Sequence, residues 1–162
     1  MLLKDKIAVI TAGASGMGQA SAQLFAEHGA HVIVVDVNGA AATATVEGII
    51  AGGGSAEAAA VDVRDLDALE RLGAKITADH GKVHILYNNV GIPGAAGMQL
   101  SEADWDTGIE INARASFFLT GHLLDALKAA DGASVIKMCS VAALTAVSEP
   151  IADTRVSARV CA

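Results

Sequence analysis

Gly13, Gly16 and Gly18 fall at short intervals within Thr11-Ala12-Gly13-Ala14-Ser15-Gly16-Met17-Gly18, and the chemistry such spacing suits is binding by bare backbone. An apolar run, Ile7-Ala8-Val9-Ile10, precedes the stretch and an amphipathic segment follows it. The context therefore reads strand, tight turn, helix. Glycines there let the chain turn sharply, let a phosphate approach the main chain, and let the helix pack closely on the sheet. The first N–H groups of a helix are unpaired and its dipole is positive at that end, so a dinucleotide pyrophosphate suits the turn. The plainer alternative is an ordinary turn in a chain that carries 17 glycines.

A second apolar run, His31-Val32-Ile33-Val34-Val35, ends in Asp36. That is close to the spacing of about 20 residues at which an acid takes the adenosine ribose hydroxyls. A carboxylate there repels a ribose phosphate, and Ala14 and Ser15 bring no cation to the turn, which points to NAD over NADP. The competing reading of Asp36 is a solvated strand-end carboxylate.

The elements that must position these groups follow in order. Met17, Ala20, Leu24 and Phe25 recur at helical spacing until Gly29. Asn38-Gly39 breaks the chain after the second strand, Ala40 to Ala51 reads as a helix, and Gly52-Gly53-Gly54-Ser55 ends it. Glu57 to Val61 is alanine-rich and weak in strand propensity; the alternation of strand and helix is what makes it the third strand. Asp65 can cap the next helix, whose Leu66, Leu69, Leu72 and Ile76 share a face. Val83 to Tyr87 is the fourth strand, running into Asn88-Asn89-Val90-Gly91, and open α/β sheets bind ligands at such carboxyl ends. After the loop Ile92 to Gly97, Ser101 and Asp104 form a capping box for a long helix with Trp105, Ile109, Phe117, Leu119, Leu123, Leu124 and Leu127 on its apolar faces. Asn112 sits mid-helix, where asparagine is a poor former, so a kink, a functional demand or a solvent-facing amide must explain it. Ser134 to Cys139 reads as a fifth strand ending at Ser140, with Lys137 unusual within it.

The chain is one domain's worth at 162 residues, and 52% hydrophobic residues suffice for a sizeable core. Much of that content is alanine, so the helices are expected to pack through small side chains. A formal charge of -7 with a pI near 5.0 argues against nucleic acid or an anionic membrane as partner. The short, charged start is no signal peptide and no stretch reads as a membrane span, so the expected location is cytoplasmic. Cys139 and Cys161 have no ligand spacing and read as reduced structural thiols. His28 and His31 read as helix-end and strand-start residues without a third ligand nearby, and His80, His84 and His122 as surface or packing residues.

Together the turn TAGASGMG, Asp36, Asp62-Val63, NNVG, mid-helix Asn112 and the CSVAAL stretch resemble the classical short-chain dehydrogenase/reductase family over residues 4 to about 150. The resemblance implies a Rossmann fold, a doubly wound parallel α/β sheet of order 3-2-1-4-5, with residues 1–150 as an NAD-binding domain. It implies that Gly13, Ser15, Gly16, Met17 and Gly18 hold the pyrophosphate and Asp36 the adenosine ribose. Asp62 and Val63 would flank the adenine, and Asn89, Val90 and Gly91 would pass beside the cofactor ribose. Asn112 would hold a water in a proton relay, and Ser140 would bond the carbonyl or hydroxyl of a small alcohol or carbonyl substrate.

The family's proton-donor tyrosine and its lysine fall, in this chain, on Asp153 and Ser157. The one tyrosine is Tyr87. An ionised aspartate is a poor acid for an alkoxide, no lysine follows to hold the nicotinamide ribose, and Arg155 and Arg159 lack the matching spacing. The tail 151–162 no longer resembles the family and reads as a truncation or frame shift, a divergent terminus being the alternative. The expected activity is thus NAD-linked interconversion of an alcohol and a ketone or aldehyde, impaired in this chain. The rivals are a non-catalytic dinucleotide-binding fragment and a pseudoenzyme subunit. A fifth strand at the sheet edge would be unpaired, which predicts self-association or homo-oligomers.

Overall fold

Successive strand side chains point to opposite faces, and in this chain both faces are apolar, which commits the sheet to cover on both sides. The computed structural model describes residues 1–93 and 101–140. Its five strands, β1 (Ile7–Thr11), β2 (His31–Asp36), β3 (Ser55–Ala60), β4 (Ile85–Asn88) and β5 (Ser134–Lys137), are all parallel in the order 3-2-1-4-5. This is the expected doubly wound α/β architecture. The weak third strand forms as the alternation requires, its Ser55 to Ala60 paired along the whole of β2.

Helices α1 (Gly16–Glu27) and α2 (Gly39–Ala51) cover one face; α3 (Leu66–His80), α5 (Ala115–His122) and α6 (Leu124–Lys128) cover the other. On the α3 side, Val9, Ile33, Val35 and Leu86 meet Leu69, Leu72, Ile76, Leu119 and Leu123. On the α1 side, Ala8, Ile10, Val32 and Val34 meet Ala22, Ala26, Ala42, Val46 and Ile49. Small side chains dominate this second layer, as the alanine content predicts. Met17 and Leu24, expected to face the core, are exposed, while Gly18, Ala22 and Ala26 are buried. Helix α1 approaches so closely at its first turn that only small residues fit beneath it.

The caps follow the residue types. Asn38, Asp65 and Ser101 accept hydrogen bonds from Ala41, Ala68 and Asp104 at 3.1, 2.9 and 3.1 Å. The long helix expected after Ser101 is instead α4 (Glu102–Ile109), a π-helical turn at Glu110–Arg114, then α5 and α6. Leu119, Leu123 and Leu127 of that region are buried, but Trp105, Phe117 and Leu124 are exposed. Strand β5 is an edge among the described residues, with Val135 and Ile136 exposed. Cys139 follows it at the surface and is disulfide-bonded, not the reduced structural thiol expected. The expectation rested on the lack of ligand spacing and on the apolar run that Cys139 ends, neither of which reports pairing across the fold. Cys161, Asp153, Ser157 and the rest of the tail 151–162 lie outside the described residues. No described helix is long and apolar enough to cross a membrane.

His84 is a packing residue, as expected, and 5% exposed. Its Nδ1 accepts the Ile7 N–H at 3.0 Å, locking the start of β1 to that of β4. Burial lowers its pKa below 6.5, and Lys6 and Lys82 reinforce the shift. Below 6.5 the unfolded chain binds a proton that the native imidazole refuses, so the stability this residue gives is complete above that pH and declines as pH falls towards the folded value. Urea unfolding at pH 7.5 and 5.5 is expected to show a smaller acid loss in His84→Asn, whose amide oxygen can still accept from Ile7, than in the parent.

Candidate functional site

At the carboxyl ends of β1, β2 and β4 the backbone is held by side chains from neighbouring strands. Buried Thr11, the last residue of β1, accepts from the N–H groups of Asn89 and Val90 at 3.0 and 3.1 Å. Asn89 returns the contact, its Nδ2 lying 3.2 and 3.3 Å from the carbonyl oxygens of Thr11 and Ala12. These bonds hold Ala12 at φ +50°, a conformation that costs a side-chain-bearing residue roughly 1–2 kcal/mol. The strained carbonyl is thereby turned beneath the first turn of α1.

The glycines differ in purpose. A Cβ on Gly18 would lie 2.0 Å from the Ala12 oxygen and 2.7 Å from Asn89 Nδ2, so this position is closed to any side chain. Gly16, at φ +51°, has open space where a Cβ would stand. Ser15 is the N-cap of α1, yet its side chain makes no capping bond and the first turn carries no acid. Helices α2, α3 and α4 are all side-chain capped. Helix α1 thus presents bare amides and its positive end beside open space, the arrangement an anion requires.

Asp36 lies directly against this bend. Its Oδ2 accepts the Ala14 N–H at 3.1 Å and its Oδ1 the Asn38 N–H at 3.0 Å, which fixes the carboxylate between the glycine turn and α2. It also lines a cavity of about 180 Å³ with Ala12, Val61, Asp62, Val63 and Arg64. Arg64 is held on Asp62, Nη2 to Oδ2 at 2.6 Å and Nε to both oxygens at 3.1 Å. These bonds from Arg64 keep the Asp62 carboxyl below its ordinary range.

A second cavity of about 250 Å³ shares Val90 and Ile92 with the first and is lined also by Met17, Asn89, Gly91, Asn112, Lys137 and Ser140. Of the site residues expected on the sequence, Met17, Asp36, Asp62, Val63, Asn89, Val90, Gly91, Asn112 and Ser140 therefore line these two cavities, at the carboxyl ends of the strands. Asn112 is buried at the centre of the π turn; its Oδ1 accepts from Ile92 N at 2.9 Å and its Nδ2 donates to Ile92 O at 3.1 Å. The demand that placed an asparagine mid-helix is this two-bond clamp on the loop after β4. Lys137 lines the same cavity, and burial holds its pKa below the ordinary lysine value. Tyr87 points away, buried in the core layer beneath α1 and α2. A larger groove, about 460 Å³, lies between α5 and β5 and is walled by Phe117, Phe118, Leu124 and Val135. Size does not mark the site here; the convergence of polar backbone does.

The short chain dehydrogenase family matches residues 6–152. The chain belongs to that family. Family members hold a nicotinamide dinucleotide, and the cradle at α1 fits one: bare helix-start amides, a Gly18 that admits no side chain, and Asn89 Oδ1 buried without a partner among the described residues. The BbsD subunit of a hydroxy(phenyl)methyl-succinyl-CoA dehydrogenase from Thauera aromatica is 35% identical over 130 residues, covering 77% of this chain and 52% of that protein. A 7α-hydroxysteroid dehydrogenase solved with NADH and 7-oxo glycochenodeoxycholic acid superposes with a TM-score of 0.86 at 30% identity, over 98% of this chain and 60% of that one. A metagenomic short-chain oxidoreductase solved with NADP gives 0.85 at 29%, over 99% and 71%. The chain thus spans about half the length of the curated relatives it matches.

Sequence reasoning missed three contributors. Thr11 reads as the opening residue of the glycine turn and Ile92 as loop, and Arg64 carries no local signal; only the fold brings each to its partner. Replacing Thr11 by Val removes an acceptor shared by two half-buried N–H groups and is expected to cost about 1–3 kcal/mol. Thr11→Ser, which keeps the oxygen, should retain most of the stability in urea unfolding.

Proposed function

We propose that this chain binds NAD(H) in preference to NADP(H), along the crevice from Asp36 to Ser140. The observation that carries the reading is the Asp36 carboxylate bonded to the backbone of the glycine turn. A group fixed there meets the adenosine ribose of any dinucleotide whose pyrophosphate sits on α1. Carboxylate and ribose phosphate at about 4 Å repel by about 1–4 kcal/mol, between water and a protein-surface dielectric. Arg64, the cation nearest that cavity among the described residues, is already neutralised by Asp62.

In this reading Gly13, Ser15, Gly16, Met17 and Gly18 cradle the pyrophosphate with main-chain N–H groups, Asp62 and Val63 bound the adenine, and Asn89, Val90 and Gly91 run beside the second ribose. The bound nicotinamide would supply or accept the hydride exchanged between an alcohol and its ketone or aldehyde. Ser140 would orient the substrate oxygen. Asn112, through its hold on Ile92, would keep the loop placed for a water in the proton path. What the chain lacks is the proton donor, since Asp153 and Ser157 stand where the family has tyrosine and lysine. Turnover is therefore impaired, and dinucleotide binding without catalysis is the second reading that those two residues favour.

Calorimetric titration is expected to give NADH binding at least about tenfold tighter than NADPH, a preference lost in Asp36→Ala. Tighter binding of NADPH by the parent would overturn the cofactor assignment. Alcohol oxidation at an ordinary family rate would overturn the impairment. The exposed edge at β5 further supports self-association: sedimentation velocity should show a mass that grows with concentration and a weaker trend in Val135→Lys, whereas a concentration-independent monomer speaks against it.

A further inference from the structure

The amino ends of β2 and β3 hold a cluster that the crevice does not use. Strand register places His31 opposite Ser55 and Ile33 opposite Glu57. His31, Ser55 and Glu57 therefore lie on the sheet face that carries Ile33 and Val35, which is the face α3 covers. The last residue of α3, His80, closes over them, its Nε2 3.0 Å from Glu57 Oε1. The two imidazole rings are 5.1 Å apart. One donor atom from each of His31, Glu57 and His80 lies within 4.8 Å of the others, and all three residues are half-buried. This is the one such group among the described residues.

A further detail points to a ligand. His31 Nδ1 is 2.7 Å from Ser55 Oγ, whereas its Nε2 is buried with no partner among the described residues. With Nδ1 protonated and donating to Ser55, Nε2 carries a lone pair that no hydrogen-bond donor among the described residues meets. That is how metal-binding histidines are prepared: a hydrogen bond at one nitrogen fixes the tautomer and aims the other. Donors on a tetrahedral Zn²⁺ stand roughly 3.3 Å apart, given bond lengths near 2.0–2.2 Å. The His80–Glu57 pair already has nearly that spacing, and small side-chain rotations close the rest.

We propose that His31, Glu57 and His80 form a Zn²⁺ site, with Ser55 positioning His31 and a water completing the coordination. Two imidazoles and one carboxylate are a donor set of zinc type, whereas Mg²⁺ and Ca²⁺ prefer oxygen ligands throughout. Asp36 lies at the other end of β2, about 16 Å away at the usual strand rise. The ion therefore has no part in hydride transfer and instead fastens two strands to the end of α3. Binding by the folded chain stabilises it by mass action.

Titrating chelator-treated chain with ZnCl₂ in a calorimeter should give one equivalent, accompanied by a higher melting temperature and an unchanged NADH affinity. Co²⁺ in its place should show the visible bands of a four-coordinate ion. His80→Gln and Glu57→Gln should weaken Zn²⁺ binding at least tenfold and abolish the thermal shift, and Ser55→Ala should weaken it about 10–100-fold. His28→Gln should leave it intact. Glu57→Gln keeps the side chain's shape and so serves if His80→Gln does not fold. Absence of Zn²⁺ binding by the parent, or equal binding by the parent and a folded His80→Gln or Glu57→Gln variant, overturns the site. Because the readout is metal alone, its failure is separable from failure of dinucleotide binding.

Discussion

The structure turns on a run of backbone amides left uncapped at the start of α1. A protein ordinarily satisfies helix-start N–H groups with a side chain, as this one does at α2, α3 and α4. Leaving α1 open creates a demand for an anion, and the surrounding contacts keep it open. Thr11 and Asn89 tie β1 to the segment after β4, Asn89 bonds the carbonyl of strained Ala12, and Asp36 bonds Ala14 from β2. Three strands thus fix one loop. Gly18 completes the arrangement, because a methyl group there would collide with the Ala12 oxygen.

The rest of the fold serves that geometry. Parallel strands buried on both faces place their carboxyl ends in one row, so residues far apart in sequence share a crevice. The π turn around Asn112 extends the same control to the loop after β4, where a regular helix would have turned that amide elsewhere. At the opposite end of the sheet, the amino ends of β2 and β3 and the end of α3 gather imidazole and carboxylate groups well away from the crevice. The two ends are separated by the length of the strands, so each can be altered with little effect on the other.

Much of this was legible in the residues. The order of strands and helices, the caps Asp65 and Ser101, the glycine turn and the acid ending β2 all follow from local patterns that the fold does not override. Tertiary contacts that leave no local trace were not legible. Met17 and Leu24 have helical spacing but lie outside the core, because proximity of α1 to the sheet selects small side chains instead. Cys139 ends an apolar run, yet that run is an edge. His31 has no ligand partner within its own segment; Glu57 and His80 reach it only through strand pairing and helix packing. Asn112 announced that something was unusual, but not that Ile92 was its partner.

The most direct measurement is a crystal structure of this chain with NADH. The account predicts pyrophosphate oxygens at about 2.7–3.2 Å from main-chain nitrogens of the α1 start, with the adenosine ribose hydroxyls on Asp36. A cofactor lying away from α1, or an α1 start closed by one of the protein's own side chains, would contradict it.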